Sequence, residues 1–183
     1  MLLDKIKEDF KEYIQEKCCD SGICAKFDNS IQNYVSLKID SFFQKKHKVN
    51  TPKGIDCFVV VECKDSKYHL YLLELKNQKQ PNLINETPDI IKKFEDTIKY
   101  FLASSQFRDS FKFVVEGNYE IDLILISKER LDSIKKTNIP FIQKAYSKIL
   151  NKVYSIELPN NKMTVISKSI KMRPHSEIII KCS

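Results

Sequence analysis

The chain has 183 residues, 42% apolar and 30% charged, with three glycines, six prolines and no low-complexity tract. This supports one sizeable core, makes a single domain over residues 1–183 the expectation, and excludes a chain dominated by disorder. The net charge of +7 is uneven: residues 128–183 hold 12 Lys/Arg against 4 Asp/Glu, while residues 1–127 hold 19 against 20. A basic C-terminal third suits a polyanionic partner, because lysines and arginines that neutralise phosphates release condensed counterions. Lysine-rich solvated faces give the same count, so charge alone does not decide. No apolar run approaches the ~18–20 residues that span a bilayer. The stretch MLLDKIKEDFKEYIQEK also lacks the apolar segment of a secretory signal. A soluble cytoplasmic protein without a membrane partner is expected.

In chain order, Leu2, Leu3, Ile6, Phe10, Tyr13 and Ile14 predict an amphipathic helix over 2–17. Cys18, Cys19 and Cys24 lie close together, but the pair-and-pair spacing of a zinc ribbon is absent. In a cytoplasmic chain all six cysteines are expected as reduced thiols. Asp28, Asn29 and Ser30 are capping types for a second helix over about 30–44, followed by the basic loop QKKHKVNTPKG.

IDCFVVVEC (55–63) and YHLYLLELK (68–76) predict two strands joined by a short polar turn. Cys57 and Cys63 share one face of the first and read as small core fillers. Thr87 and Pro88 open a helix over about 88–105, with Ile91, Phe94, Ile98, Phe101 and Leu102 in one stripe. FKFVVE (111–116) and EIDLILIS (120–127) read as strands. A helix over about 140–151 and short strands at 153–158, 163–168 and 177–182 complete the chain. The order predicts an α/β fold (mixed α+β), with a central mixed β-sheet flanked by helices.

The chemistry concentrates at one end of the first hairpin. Glu74 and Lys76 point the same way, because side chains alternate along a strand. Whether Asp56 joins them depends on register: a three-residue turn centred on Asp65 places Asp56 opposite Glu74 and Gly54 opposite Lys76, and a turn one residue longer breaks the match. Directly opposed residues have Cβ atoms ~4.5–5.5 Å apart, close enough for two carboxylates to share a divalent cation. A lysine one pleat on can orient an attacking water or offset charge that builds on a phosphate. The plain alternative makes Asp56 a turn residue, and Glu74 and Lys76 the solvated end of an edge strand.

Gly54-Ile55-Asp56, a hairpin, then Glu74-Leu75-Lys76 followed by a helix resembles the core of the PD-(D/E)XK nuclease superfamily, which includes restriction-endonuclease-like folds. The resemblance covers about residues 54–127. It implies that Asp56 and Glu74 hold Mg²⁺, for which Mn²⁺ substitutes, and that Lys76 serves catalysis. Ile55 stands where the motif has its proline. Some members add a glutamate from an N-terminal helix, and Glu8 and Glu12 are the candidates here.

The expected function is therefore a Mg²⁺-dependent endonuclease that hydrolyses DNA phosphodiester bonds. A type II restriction-like enzyme is one form of it, and RNA is the first variant substrate. A homodimer is compatible, because one such centre cuts one strand. The competing readings are a non-catalytic nucleic-acid-binding or assembly module of the same fold, and a protein-interaction domain. Lys45, Lys46, Lys48 and Lys53 before the first strand, and Lys168, Lys171 and Arg173 near His175, are candidate phosphate contacts. Gln78 is a candidate pocket residue. His47, His69 and His175 are scattered, and no Gly-rich phosphate loop or nucleophile elbow is present.

Overall fold

In the computed structural model, which describes residues 2–77, 84–112, 119–128, 140–158 and 164–182, six strands form one mixed sheet. These are β4 (Tyr34–Leu37), β5 (Cys57–Glu62), β6 (Tyr68–Lys76), β7 (Tyr119–Ser127), β8 (Val153–Leu158) and β9 (Thr164–Pro174), in the order β4-β5-β6-β7-β9-β8. β6, β7 and β9 run parallel, and the outer neighbours pair antiparallel. The mixed α/β architecture read from the sequence is the one present.

β5 and β6 lie inside the sheet with both faces covered, which is why they read as nearly continuous apolar runs. Alternation divides their side chains between two layers. Phe58, Val60, Leu70 and Leu72 face a core shared with the helices α1 (Leu2–Asp9), α2 (Ile39–Lys46), α3 (Thr87–Asp96), α4 (Ser105–Phe111) and α5 (Pro140–Leu150). Cys57, Val59, Val61, Tyr71 and Leu73 face a second, smaller core. That core is closed by Cys18, Ile23, Ala25, Ile179 and Ile180, from or beside the short strands β1 (Cys19–Asp20), β2 (Ile23–Cys24), β3 (Lys26–Phe27) and β10 (Ile178–Ile180).

Three disulfides staple this second layer: Cys18–Cys57, Cys19–Cys24 and Cys63–Cys182. The expectation of reduced thiols is corrected on this point. Cys57 and Cys63 are not independent fillers, because each anchors a remote segment to the hairpin. The expectation of reduced thiols was drawn from the cytoplasmic one, which three disulfides do not support. Among the described residues, no helix is long and apolar enough to cross a membrane.

Several element boundaries differ from the expectation, each for a tertiary reason. The first helix stops at Asp9; Lys11–Tyr13 form a 3₁₀ turn and Ile14 bridges Leu37. The helix expected over 30–44 is two elements, because Tyr34–Leu37 pair with β5 and only Ile39–Lys46 are helical. Asp28 caps no helix; its carboxylate accepts hydrogen bonds from the Ser30 N–H and hydroxyl in a local turn. The helix after β6 continues as a π-helical segment, Thr97–Leu102, before Ser104 caps α4 with a hydrogen bond from the Phe107 N–H. Phe111 therefore ends a helix rather than opening a strand. Lys112 follows in a turn, and residues 113–116 of that expected strand, with Gln78, lie outside the described residues.

Candidate metal centre

The hairpin pairs Cys57 with Leu73 and Glu62 with Tyr68 across the turn at Lys64–Ser66. Continued by one residue, this register sets Asp56 opposite Glu74. Asp56 takes over where backbone pairing ends: its Oδ2 accepts the Leu75 N–H at 2.7 Å, which fixes the direction of its carboxylate.

The loop before Asp56 is held by side chains from two helices. Asp96 accepts the Lys53 N–H at 2.9 Å, Asp40 accepts the Gly54 N–H at 2.9 Å, and Thr97 Oγ1 accepts the Ile55 N–H at 3.2 Å. Three successive backbone donors that the sheet cannot use are thereby satisfied. Gly54 is required by proximity, since a Cβ there would meet the Asp40 nitrogen and Oδ1 at 2.7 Å.

Glu74 is fully buried. Its partners are the Lys93 ammonium, 2.8 Å from Oε1 and 3.1 Å from Oε2, and the Lys76 ammonium, 3.0 Å from Oε1. Lys93 also approaches Asp56 Oδ1 at 3.4 Å, so one ammonium lies between the two carboxylates. Lys76 is held from its other side by Glu86 at 2.8 Å. Burial, reinforced by the neighbouring Asp56 charge, pushes the Glu74 carboxyl up to about 7, against the pull of Lys93 and Lys76. Burial works against the ammonium of Lys93 and of Lys76, but the Glu74 charge outweighs it with the help of Asp56 and Glu86 respectively. Both end above the ordinary lysine value. Asp40 is raised by burial, which Lys93 partly offsets.

Asp56, Glu74 and Lys76 are thus brought together on the helical face of the sheet. Lys93, Glu86 and Asp40 join them and were missed in the sequence. For Lys93 there was a signal: it lies three residues after Ile90 and four before Thr97, on the buried side of α3. A lysine there needs an acid. Glu8 and Glu12 lie elsewhere, exposed and beside Lys5 at 3.9 Å and Lys45 at 2.6 Å.

The candidate phosphate contacts separate into two groups. Lys45 and Lys46 lie over the rings of Tyr13 and Phe42, Lys53 pairs with Asp89, and Lys48 is exposed. Lys171 and Arg173 pair with Ile124 and Ile126 in the sheet, which puts them on the face opposite Glu74. With Lys168 they line a cavity of about 580 Å³ over His69, Tyr71 and Asp122. There Lys171 meets Asp122 at 2.6 Å, and Arg173 lies 3.6 Å from Glu177. Burial would raise the Asp122 carboxyl, but hydrogen bonds from His69 and Lys171 bring it down to about 2.

Among the described residues, no group of three or more His, Cys, Asp and Glu side chains is arranged to hold a metal ion. The centre offers two carboxylates, the usual number for Mg²⁺, which keeps several waters and takes substrate phosphate oxygens as well. The donor set is hard oxygen, and its buried carboxylate already requires a cation. The residues therefore fit such an ion. Comparisons with protein-family models, curated proteins and solved structures found no match to this chain.

Proposed function

We propose that the chain is a divalent-metal-dependent phosphodiester hydrolase acting on DNA, with Mg²⁺ as its ion and Mn²⁺ as a substitute. The observation that carries this reading is the pair of carboxylates, Asp56 and Glu74, converging on a cationic position with Lys76 3.0 Å from Glu74. Asp56 and Glu74 would hold the ion. When bound, it would polarise the phosphodiester and lower the pKa of a coordinated water.

The protein's own residues do the rest. The Leu75 N–H fixes the Asp56 carboxylate before any ligand arrives. Lys76 is tethered between Glu74 and Glu86, and its charge would offset charge that develops on a bound phosphodiester. Burial of Glu74 excludes water from one side of the site and strengthens each of these interactions.

A second reading, a non-catalytic nucleic-acid-binding module, is favoured by Lys93, whose ammonium completes the charge balance without a metal. Supercoiled plasmid incubated with the protein and Mg²⁺, Mn²⁺ or EDTA separates the two. The expected result is nicking or linearisation with either ion, none with EDTA, and none from Glu74→Ala or Lys76→Ala. Calorimetric titration should show Mn²⁺ binding weakened by Asp56→Ala and Glu74→Ala but retained in Lys76→Ala. Unchanged Mn²⁺ affinity in both acid variants would remove the metal assignment.

A further inference from the structure

We propose that Lys93 is a resident counter-cation which a divalent ion must displace, so that Lys93 sets how tightly the centre holds metal. This rests on the reading of Asp56 and Glu74 as the metal's ligands. The Lys93 ammonium contacts both oxygens of Glu74, at 2.8 and 3.1 Å, and Oδ1 of Asp56 at 3.4 Å. Among the described residues it is the cation that touches both carboxylates; of the two, Lys76 reaches Glu74 and is also tied to Glu86.

An ammonium and a divalent cation cannot occupy the space between the same oxygens, because like charges at a few ångströms in a buried site repel strongly. Metal entry is therefore an exchange. The ion gains the carboxylates and Lys93 loses them, so the net affinity is the difference of two attractions.

Two features make the exchange feasible. Lys93 projects from α3 on a flexible four-carbon stem and keeps some exposure, 14% of its side chain, so it can leave without unfolding the helix. Asp40, whose charge already acts on Lys93, stands on the same face with one oxygen committed to Gly54. When Lys93 leaves, Glu74 keeps Lys76 and the buried carboxylate is never bare.

The device differs from a purely structural salt bridge in the sign of one measurement. Lys93→Gln removes the competing charge at nearly constant volume and should bind Mn²⁺ about tenfold more tightly than the parent, or better. Lys93→Arg keeps the charge and should stay close to the parent or weaker. Titration calorimetry reads both, and a larger Mn²⁺-induced rise in melting temperature for Lys93→Gln should accompany the tighter binding. A structural role alone predicts loss, not gain.

Independent of any variant, amine acetylation of the parent followed by mass spectrometry should label Lys93 faster under saturating Mg²⁺ than in EDTA. If the parent binds Mn²⁺ while Lys93→Gln binds no more tightly, or if Lys93 labelling is unmoved by saturating metal, the exchange is overturned and the metal centre stands. If folded parent and Lys93→Gln both fail to bind Mn²⁺ at millimolar concentration, the metal reading falls and the exchange with it.

Discussion

Glu74 is a fully buried carboxylate held between two ammoniums. A carboxylate with no solvent exposure is tolerated here because two ammoniums compensate it, yet burial and Asp56 still push its pKa up to about 7. The sign of the pH dependence follows. Between the ordinary glutamate value, about 4.5, and about 7 the folded state retains a proton that the unfolded chain has released. Stability should therefore fall as pH rises through that window, by roughly 1–3 kcal/mol. Asp40 is raised as well and adds to the same trend, whereas Asp122, lowered to about 2, matters only in stronger acid. Urea titrations at pH 5 and pH 8 should show the parent weaker at the higher pH and Glu74→Gln with a smaller difference. An equal difference in both proteins would mean that Glu74 does not titrate there. Metal binding draws on the ionised form, so Mn²⁺ affinity should strengthen over the same interval.

The hairpin and the loop that feeds it are the elements that place these residues. Much of the hairpin was legible in the sequence: β-branched and aromatic runs around a short polar turn fixed both strands, and the turn length fixed the register that sets Asp56 across from Glu74. The loop was not. Its three backbone donors are satisfied by Asp96, Asp40 and Thr97, from helices distant in sequence, and no local pattern announces such pairings. Tyr34–Leu37 were misread as helix for the same reason, since their apolar spacing fits a helical stripe until β5 is there to pair with. Lys93 lay within reach of sequence reasoning, as a lysine on a buried helical face. Gly54 tests the loop. A Cβ would press on backbone atoms, Asp40 nitrogen at 2.7 Å and Ile39 carbonyl carbon at 2.9 Å, which cannot rotate away. Gly54→Ala should cost about 1–3 kcal/mol in denaturant unfolding. It should also weaken Mn²⁺ binding, because Asp56 is two residues on. Full metal affinity in a destabilised Gly54→Ala would show that the Leu75 N–H alone positions Asp56.

At the scale of the whole molecule, the two sheet faces have different tasks. The helical face carries the large aromatic core and the candidate centre. The opposite face is a thin layer whose small apolar cluster is reinforced by three disulfides, one of them joining Cys63 to Cys182 across 119 residues. Cysteine spacing gave no hint of Cys18–Cys57 or Cys63–Cys182, which link segments that only the folded sheet brings together, whereas Cys19–Cys24 closes a local hairpin.

Part of the basic C-terminal third, Lys171 and Arg173 of β9, lies on this second layer, which changes how nucleic acid can meet it. β9 runs parallel to β7 and β6, with Arg173 beside Ile126 and Ile126 beside Leu75. Arg173 therefore stands at the same strand end as Glu74 and Lys76, two strands away, or roughly 10 Å. Lys168 is five residues back along β9, roughly 17 Å from that edge. A duplex bound at the candidate centre and lying along the strand ends would meet Arg173 well before Lys168, whatever its sequence. Among the described residues Arg173 has only a long contact to Glu177, at 3.6 Å, and it is half exposed, so it is available to phosphate. In EDTA, to prevent cleavage, Arg173→Gln should weaken duplex affinity and reduce the slope of log K against log salt by about 0.9. Lys168→Gln should leave both near the parent values, with Lys171→Gln between them, and all three should keep the parent's Mn²⁺ affinity. Fluorescence anisotropy across a range of KCl concentrations reads the slope directly. Equal losses from Lys168→Gln and Arg173→Gln would mean that nucleic acid lies along the cavity over His69 and Asp122 rather than across the strand ends. No loss from either would leave the basic third outside recognition altogether.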